Sequence, residues 1–279
     1  MSARGMTSLS PTGALQIGGA ELEYRFIGPT PDAAPTLVLL HEGLGCTRLW
    51  GDFPDRLQAA TGYGVFAYSR AGYGASSPVS LPRPLDYMER EAREVLPAVL
   101  AAIGFRRGLL IGHSDGASIA ALYAGGVQDH RVRGVVLIAP HFVTEAMGLA
   151  AIARTRADYD RGGLKAKLAR WHSNVDNAFL GWSAAWLDPD FRHWDISDCL
   201  AYIRVPVAIL QGAEDQYGSV RQIEIAQTEC DCPVDVTIIP GAAHSPHREA
   251  TDVTLATIAG FVKDVAAIDA PLPLRLAFD

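Results

Sequence analysis

The pentapeptide Gly112-His113-Ser114-Asp115-Gly116 constrains this chain more than any other stretch. An apolar run, Leu109-Leu110-Ile111, precedes it, and small and aliphatic residues at helical spacing, Ala117, Ile119, Ala120 and Leu122, follow. That order predicts a strand turning sharply into a helix, with one residue in strained backbone geometry and its side chain pushed out of the sheet edge. The flanking glycines let neighbouring backbone pass where a Cβ would block it. A serine so displayed has its Oγ at a helix N-terminus, where free N–H groups and the helix dipole favour developing negative charge. The pentapeptide alone is also compatible with an ordinary turn between a strand and a helix, so the remaining chain decides.

A serine hydroxyl needs an adjacent base to attack at neutral pH. The expected partners lie downstream, first an acid and then a histidine. Pro206-Val207-Ala208-Ile209-Leu210-Gln211 reads as a buried strand, followed by Gly212-Ala213-Glu214-Asp215. Val236-Thr237-Ile238-Ile239 reads as the next strand, followed by Pro240-Gly241-Ala242-Ala243-His244. Each polar residue falls just past a strand's C-terminal end, the edge where open α/β sheets build their sites. His244 would take the Ser114 proton, and Asp215 would fix the imidazole tautomer and stabilise the imidazolium. Glu214 competes with Asp215, and His247 with His244; the spacing after each strand favours Asp215 and His244. The preceding strand, Val135 to Ile138, is followed by Ala139-Pro140-His141 and offers no carboxylate before Glu145.

Thr36-Leu37-Val38-Leu39-Leu40 reads as another apolar strand, with His41-Glu42-Gly43-Leu44-Gly45 directly after it. A tetrahedral intermediate needs preorganised donors, each worth roughly 3 kcal/mol. The backbone N–H of Asp115 supplies one, and Gly43, or next to it Leu44, supplies the other; the simpler reading of the second is a turn that uses glycine.

With these segments in view, the chain resembles the α/β-hydrolase superfamily, of the small esterase type with a helical cap. The resemblance rests on His41-Glu42-Gly43, Ser69-Arg70-Ala71-Gly72-Tyr73-Gly74-Ala75-Ser76, the pentapeptide around Ser114, Gly212-Ala213-Glu214-Asp215 and Gly241-Ala242-Ala243-His244. It implies an eight-stranded, mostly parallel sheet, a Ser–Asp–His triad and no cofactor. Two positions depart from the usual pattern: Glu42 stands where glycine is common, and Asp115 where an apolar residue or glutamine is common. Asp115 would sit favourably in a helix's first turn. Alternatively, Glu42 and Asp115 together would place negative charge beside the oxyanion site, disfavour substrates with a free carboxylate and suit hydroxyl- or amine-bearing ones.

A length of 279 residues suits one α/β domain with an insertion. The net charge of −7 argues against nucleic-acid or anionic-membrane partners. Cys46, Cys199, Cys230 and Cys232 make neither a CxxC nor a metal-ligand spacing. Met1 to Pro11 has no apolar signal region, and no apolar run reaches membrane-spanning length, so a cytoplasmic location is expected. The expected partner is a small-molecule substrate, bound by a monomer or homo-oligomer.

Along the chain, Ala14 to Ile27 alternates around Gly18-Gly19 as a hairpin. Helices are predicted from Trp50 to Ala60, from Leu85 to Ile103 with a kink at Pro97, after Ser114 to about Ala124, after Gln216, and from about Arg248 to Ala267. The tail from Asp269 to Asp279 is expected to wrap the surface. Strands alternating with helices mean parallel βαβ units. Residues 141–203 break that alternation and hold Trp171, Trp182, Trp186 and Trp194, four of the five tryptophans. They are expected to form a helical cap over a core of residues 1–140 and 204–279. Any one tryptophan is as well explained by packing of the cap; as a group they suggest a medium-sized apolar or aromatic substrate. Glu42, His141, Phe142, Trp171, Trp182, Trp186 and Tyr217 are the pocket candidates.

The chemistry expected is hydrolysis of a carboxylic ester through an acyl-enzyme. The same triad also serves C–C bond hydrolysis, thioester or lactone hydrolysis and acyl transfer. Haloalkane dehalogenation is disfavoured because it needs a carboxylate at position 114. A ligand-binding module on the same scaffold would typically lack the base, which His244 supplies.

Overall fold

A computed structural model describes residues 9–268. The chain opens with the hairpin β1 (Thr12–Ile17) and β2 (Ala20–Ile27), turning at Gly18 and Gly19, both with positive φ. β3 (Thr36–Leu40), α1 (Phe53–Thr61) and β4 (Gly64–Tyr68) follow. α1 starts later than expected, because a 3₁₀ turn (Thr47–Trp50) comes first and Pro54 suits a first helical turn. The next helical stretch is α2 (Tyr87–Arg90), a π-turn (Glu91–Val95) and α3 (Leu96–Ala102). The expected kink at Pro97 is therefore realised as a wide turn directly ahead of a residue that cannot donate an i→i−4 bond.

β5 (Gly108–His113), α4 (Asp115–Gly126) and β6 (Val132–Ile138) form the central unit. Between β6 and the next strand lie α5 (Ala146–Asp160), α6 (Gly163–Leu168), α7 (Val175–Trp186) and two 3₁₀ turns (Pro189–His193 and Ser197–Tyr202). The chain ends through β7 (Val207–Gly212), α8 (Val220–Glu229), β8 (Val234–Ile239), α9 (Pro246–Glu249) and α10 (Thr251–Ile268). The single helix expected from Arg248 is split at Ala250, whose φ of −137° leaves helical space. The tail from Asp269 lies outside the described residues.

The eight strands form one sheet in the order β1-β2-β4-β3-β5-β6-β7-β8. β2 pairs antiparallel with β1 and β4, and the other pairs are parallel. This is the eight-stranded, mostly parallel α/β fold that the resemblance implies. β3, β4, β5 and β7 are buried along their whole length, as continuous apolar strands covered on both faces must be. Val38, Leu40, Leu110, Val135 and Leu137 pack on one face with Val99, Leu100 and Ile119. Leu37, Leu39, Ile111, Val136 and Ile138 alternate to the other, against Phe53, Leu57, Ile258 and Phe261. The C-terminal ends of β3, β5, β7 and β8 carry His41, Ser114, Asp215 and His244 into one neighbourhood. Among the described residues, no helix is long and apolar enough to cross a membrane.

Candidate active site

Ser114 adopts φ 53° and ψ −118° between β5 and α4, outside the backbone space that L-residues favour. The packing explains both glycines of the pentapeptide: a Cβ on Gly112 would strike the Gly116 carbonyl, and one on Gly116 would strike the Leu40 carbonyl. The β5–α4 corner therefore lies flush against β3, and the serine side chain has one way out.

His244 Nε2 lies 2.9 Å from Ser114 Oγ. Its Nδ1 lies 2.9 and 2.8 Å from the two carboxylate oxygens of Asp215. A carboxylate only accepts, so Nδ1 carries the proton, and Nε2 is free to accept from the Ser114 hydroxyl. Asp215 also accepts from the Tyr217 N–H at 2.8 Å, the Gly218 N–H at 3.3 Å and Gln211 Nε2 at 2.6 Å. Burial alone would raise its carboxyl, but the hydrogen bond and charge of His244 and the Tyr217 N–H together hold it below the ordinary Asp value. The sequence reading missed Gln211; its signal was a polar residue ending an otherwise apolar strand.

The two residues that competed for these roles lie elsewhere. Glu214 is exposed. His247 is buried against Trp50, Phe53 and His113.

Among the described residues, the N–H groups of Gly43, Leu44 and Asp115 have no protein acceptor. The loop carrying the first two is held from behind. The Glu42 carbonyl accepts from Gly45 N–H at 3.1 Å, His41 Nδ1 at 2.7 Å and Arg70 Nη2 at 3.0 Å. Because the peptide is trans, that anchorage turns the Gly43 N–H the opposite way, off the anchoring groups.

A pocket of about 560 Å³, mouth included, is lined by Glu42, Gly43, Leu44, Ser114, Asp115 and His244 from the sheet side. His141, Glu145, Gly148, Ile152, Trp182, Trp186 and Tyr217 close the remaining sides. His141 is held neutral, lowered to about 3 by burial and by the neighbouring His244. Of the pocket candidates read from sequence, Glu42, His141, Trp182, Trp186 and Tyr217 meet here.

Phe142 and Trp171 do not. Phe142 is fully buried, its N–H donating to Gln222 Oε1 at 2.7 Å and its carbonyl accepting from Ile196 N–H, so it is core rather than wall. Trp171 fastens the helical insertion to the 3₁₀ turn after β3: its carbonyl accepts from Arg48 Nη2 at 2.6 Å, and its ring lies under the Arg48 guanidinium at 5.7 Å. Glu145, Gly148 and Ile152 were missed. Only Gly148 left a mark, since a Cβ there would meet the Tyr217 carbonyl at 2.5 Å.

The two unusual acids have separate partners. Asp115 accepts from the Tyr87 hydroxyl at 2.5 Å, and that hydroxyl in turn accepts from Trp186 Nε1 at 3.1 Å. Burial raises the Asp115 carboxyl, with the Arg70 guanidinium opposing. Glu42 faces His113 instead.

A model of the alpha/beta hydrolase family matches residues 37–257, from β3 into α10. The chain belongs to that family. A mouse serine hydrolase, BPHL, is 29% identical over 131 residues, 46% of this chain and 43% of that protein, so the match spans less than half of the relative. A non-heme chloroperoxidase from Streptomyces lividans is 25% identical over 71% of this chain and 80% of its own length. Among solved structures, a membrane phospholipase A superposes with a TM-score of 0.74 at 24% identity, covering 91% of this chain and 86% of that chain, a likeness of fold.

Proposed function

We propose that this hydrolase cleaves carboxylic esters of small to medium, apolar or aromatic substrates through an acyl-enzyme. The observation that carries the reading is the unbroken Asp215–His244–Ser114 hydrogen-bond relay beside unpaired N–H groups at Gly43 and Asp115.

Ser114 Oγ attacks the acyl carbon as its proton passes to His244 Nε2. The carbonyl oxygen becomes an oxyanion between the two N–H donors. Collapse breaks the ester bond, and the departing alkoxide takes the proton from His244. Water then attacks the acyl-serine, giving its proton to Nε2; the second collapse releases the acid and returns a proton to Ser114. Asp215 keeps the imidazole in the tautomer that makes each transfer possible.

The pocket walls suit this substrate class. Ile152, Trp182, Trp186 and Tyr217 offer apolar and aromatic surface, and Glu42 and Asp115 add carboxylates that repel a free carboxylate and favour hydroxyl- or amine-bearing groups. A panel of p-nitrophenyl esters of rising acyl length, run beside a thioester, a lactone and a dienoic diketone, tests the assignment. We expect kcat/KM to be highest for a short or medium acyl ester and to fall for long chains. Preference for the thioester, lactone or diketone over every ester overturns it.

A further inference from the structure

Glu42 is the position where this chain departs from the usual His-Gly, and its side chain has a partner that the relay leaves unexplained. Glu42 Oε2 lies 3.4 Å from Nδ1 of His113. The other ring nitrogen, Nε2, lies 2.7 Å from the main-chain carbonyl of His244. The His113 side chain is 1% exposed and packs among the rings of Trp50, His244 and His247. A carbonyl oxygen only accepts, so Nε2–H is the donor to His244. The Glu42 carboxylate therefore faces the ring's other nitrogen, Nδ1, across the 3.4 Å contact. Burial opposes ionisation of Glu42, but His113, together with His41 and His247, keeps the carboxyl well below its usual range.

These two contacts join three loops distant in sequence: the one after β3, the corner before Ser114 and the one after β8. Asp215 holds His244 only by its ring. The His244 carbonyl has no other partner among the described residues. The loop leading to it turns at Gly241, with φ 72°, and its nearest other anchor is Ala243 N–H to Glu249 Oε2 at 2.6 Å. His113 is also the residue bonded to Ser114, so whatever it grips is gripped at a fixed height above the serine.

Taking Ser114, His244 and Asp215 as the working triad, we infer that Glu42 and His113 form a positioning pair: His113 sets the main chain of His244 above Ser114, and Glu42 locks the His113 ring and ties it to the oxyanion loop. The pair touches no reacting atom. The Glu42 side chain thereby serves the base as well as the pocket wall.

Two pairs of variants test this, because asparagine mimics Nδ1 of histidine and glutamine mimics Nε2. His113→Asn keeps the reach to Glu42 and loses the donor to His244; His113→Gln does the reverse. Glu42→Leu removes the lock, and Glu42→Gln preserves a hydrogen bond. With p-nitrophenyl butyrate we expect kcat of His113→Asn to fall by about 10- to 100-fold, the scale of a roughly 1 Å misplacement, with KM within about twofold. Fluorophosphonate labelling of Ser114 should slow in step. His113→Gln, which keeps the donor to His244 and lacks only the lock, should lose no more kcat than Glu42→Leu, and Glu42→Gln should recover what Glu42→Leu loses, at matched thermal unfolding temperatures.

Equal losses in His113→Asn and His113→Gln, both larger than that of Glu42→Leu, overturn the pair, because they indicate packing alone. A Glu42→Leu enzyme with raised KM and unchanged kcat overturns it too, making Glu42 a substrate contact only. A wild-type chain that takes no label at Ser114 removes the triad reading itself; a wild type and His113→Asn that label equally fast remove the pair alone.

Discussion

The pocket is built by two regions that obey different rules: loops at the sheet edge, and helices inserted between β6 and β7. On the sheet side, each chemistry-bearing residue is fixed by backbone that has nowhere else to go. Ser114 sits at positive φ, with Gly112 and Gly116 too close to neighbouring carbonyls to carry a Cβ. On the helical side, the same pocket is closed by Glu145, Gly148, Ile152, Trp182 and Trp186. Their selection depends on which face each helix turns inward, a matter of packing such as the stacking of Tyr159 on Phe179 at 3.7 Å. Chemistry is thus set by local backbone, and substrate choice by tertiary packing. Substitutions on the sheet side should therefore change kcat, and those on the helical side KM or stability.

The largest effect tests the sheet side. Ser114→Ala should lower kcat by about 10⁶-fold, the cost of removing such a nucleophile in a well-studied protease, with little change in unfolding temperature. A residual rate near wild type breaks the contrast. Asp215→Asn should follow, at about 10⁴-fold in kcat, because the amide no longer selects the Nδ1–H tautomer. Asp215 also gives that variant a pH signature. Its folded carboxyl is below the ordinary value, so its stabilisation is fully present above about pH 4 and fades as pH falls through the lower folded value. The gap in unfolding temperature between wild type and Asp215→Asn should close on acidification below pH 4; a constant gap contradicts it.

On the helical side, Phe142→Ala should cost about 3–5 kcal/mol of stability, read by chemical denaturation, because a large buried side chain leaves a cavity. The expected KM of the folded enzyme is unchanged; a KM change without a stability loss would return Phe142 to the pocket wall. Smaller again is Asp115→Asn, which should raise turnover of anionic esters relative to neutral ones by a few-fold, within the range of a single charge contact. An unchanged ratio removes the electrostatic reading of Asp115.

The same division explains what was legible in the sequence. The sheet, its order of strands and helices, and the positions of Ser114, Asp215 and His244 follow from local signals: apolar runs, glycines at close approaches, and a polar residue just past each strand. Trp171, Trp182 and Trp186 read alike as pocket candidates, and Trp182 and Trp186 line the pocket. Phe142 and Trp171, equally aromatic and equally placed after β6, meet other surfaces, and nothing in their own neighbourhood distinguishes them. Gln211, Glu145 and His113 went unassigned for the same reason, since their partners lie on distant segments. Glu42 and Asp115 stood out as departures, but their different partners, His113 and Tyr87, are facts of tertiary structure.

The central claim is that Ser114 becomes covalently acylated. Mixing the protein with p-nitrophenyl butyrate, quenching in acid within milliseconds and measuring intact and peptide mass tests it most directly. A butyryl adduct should map to Ser114, appear with a stoichiometric burst of nitrophenol and be absent in Ser114→Ala. Steady turnover with no adduct, or an adduct on another residue, would contradict it.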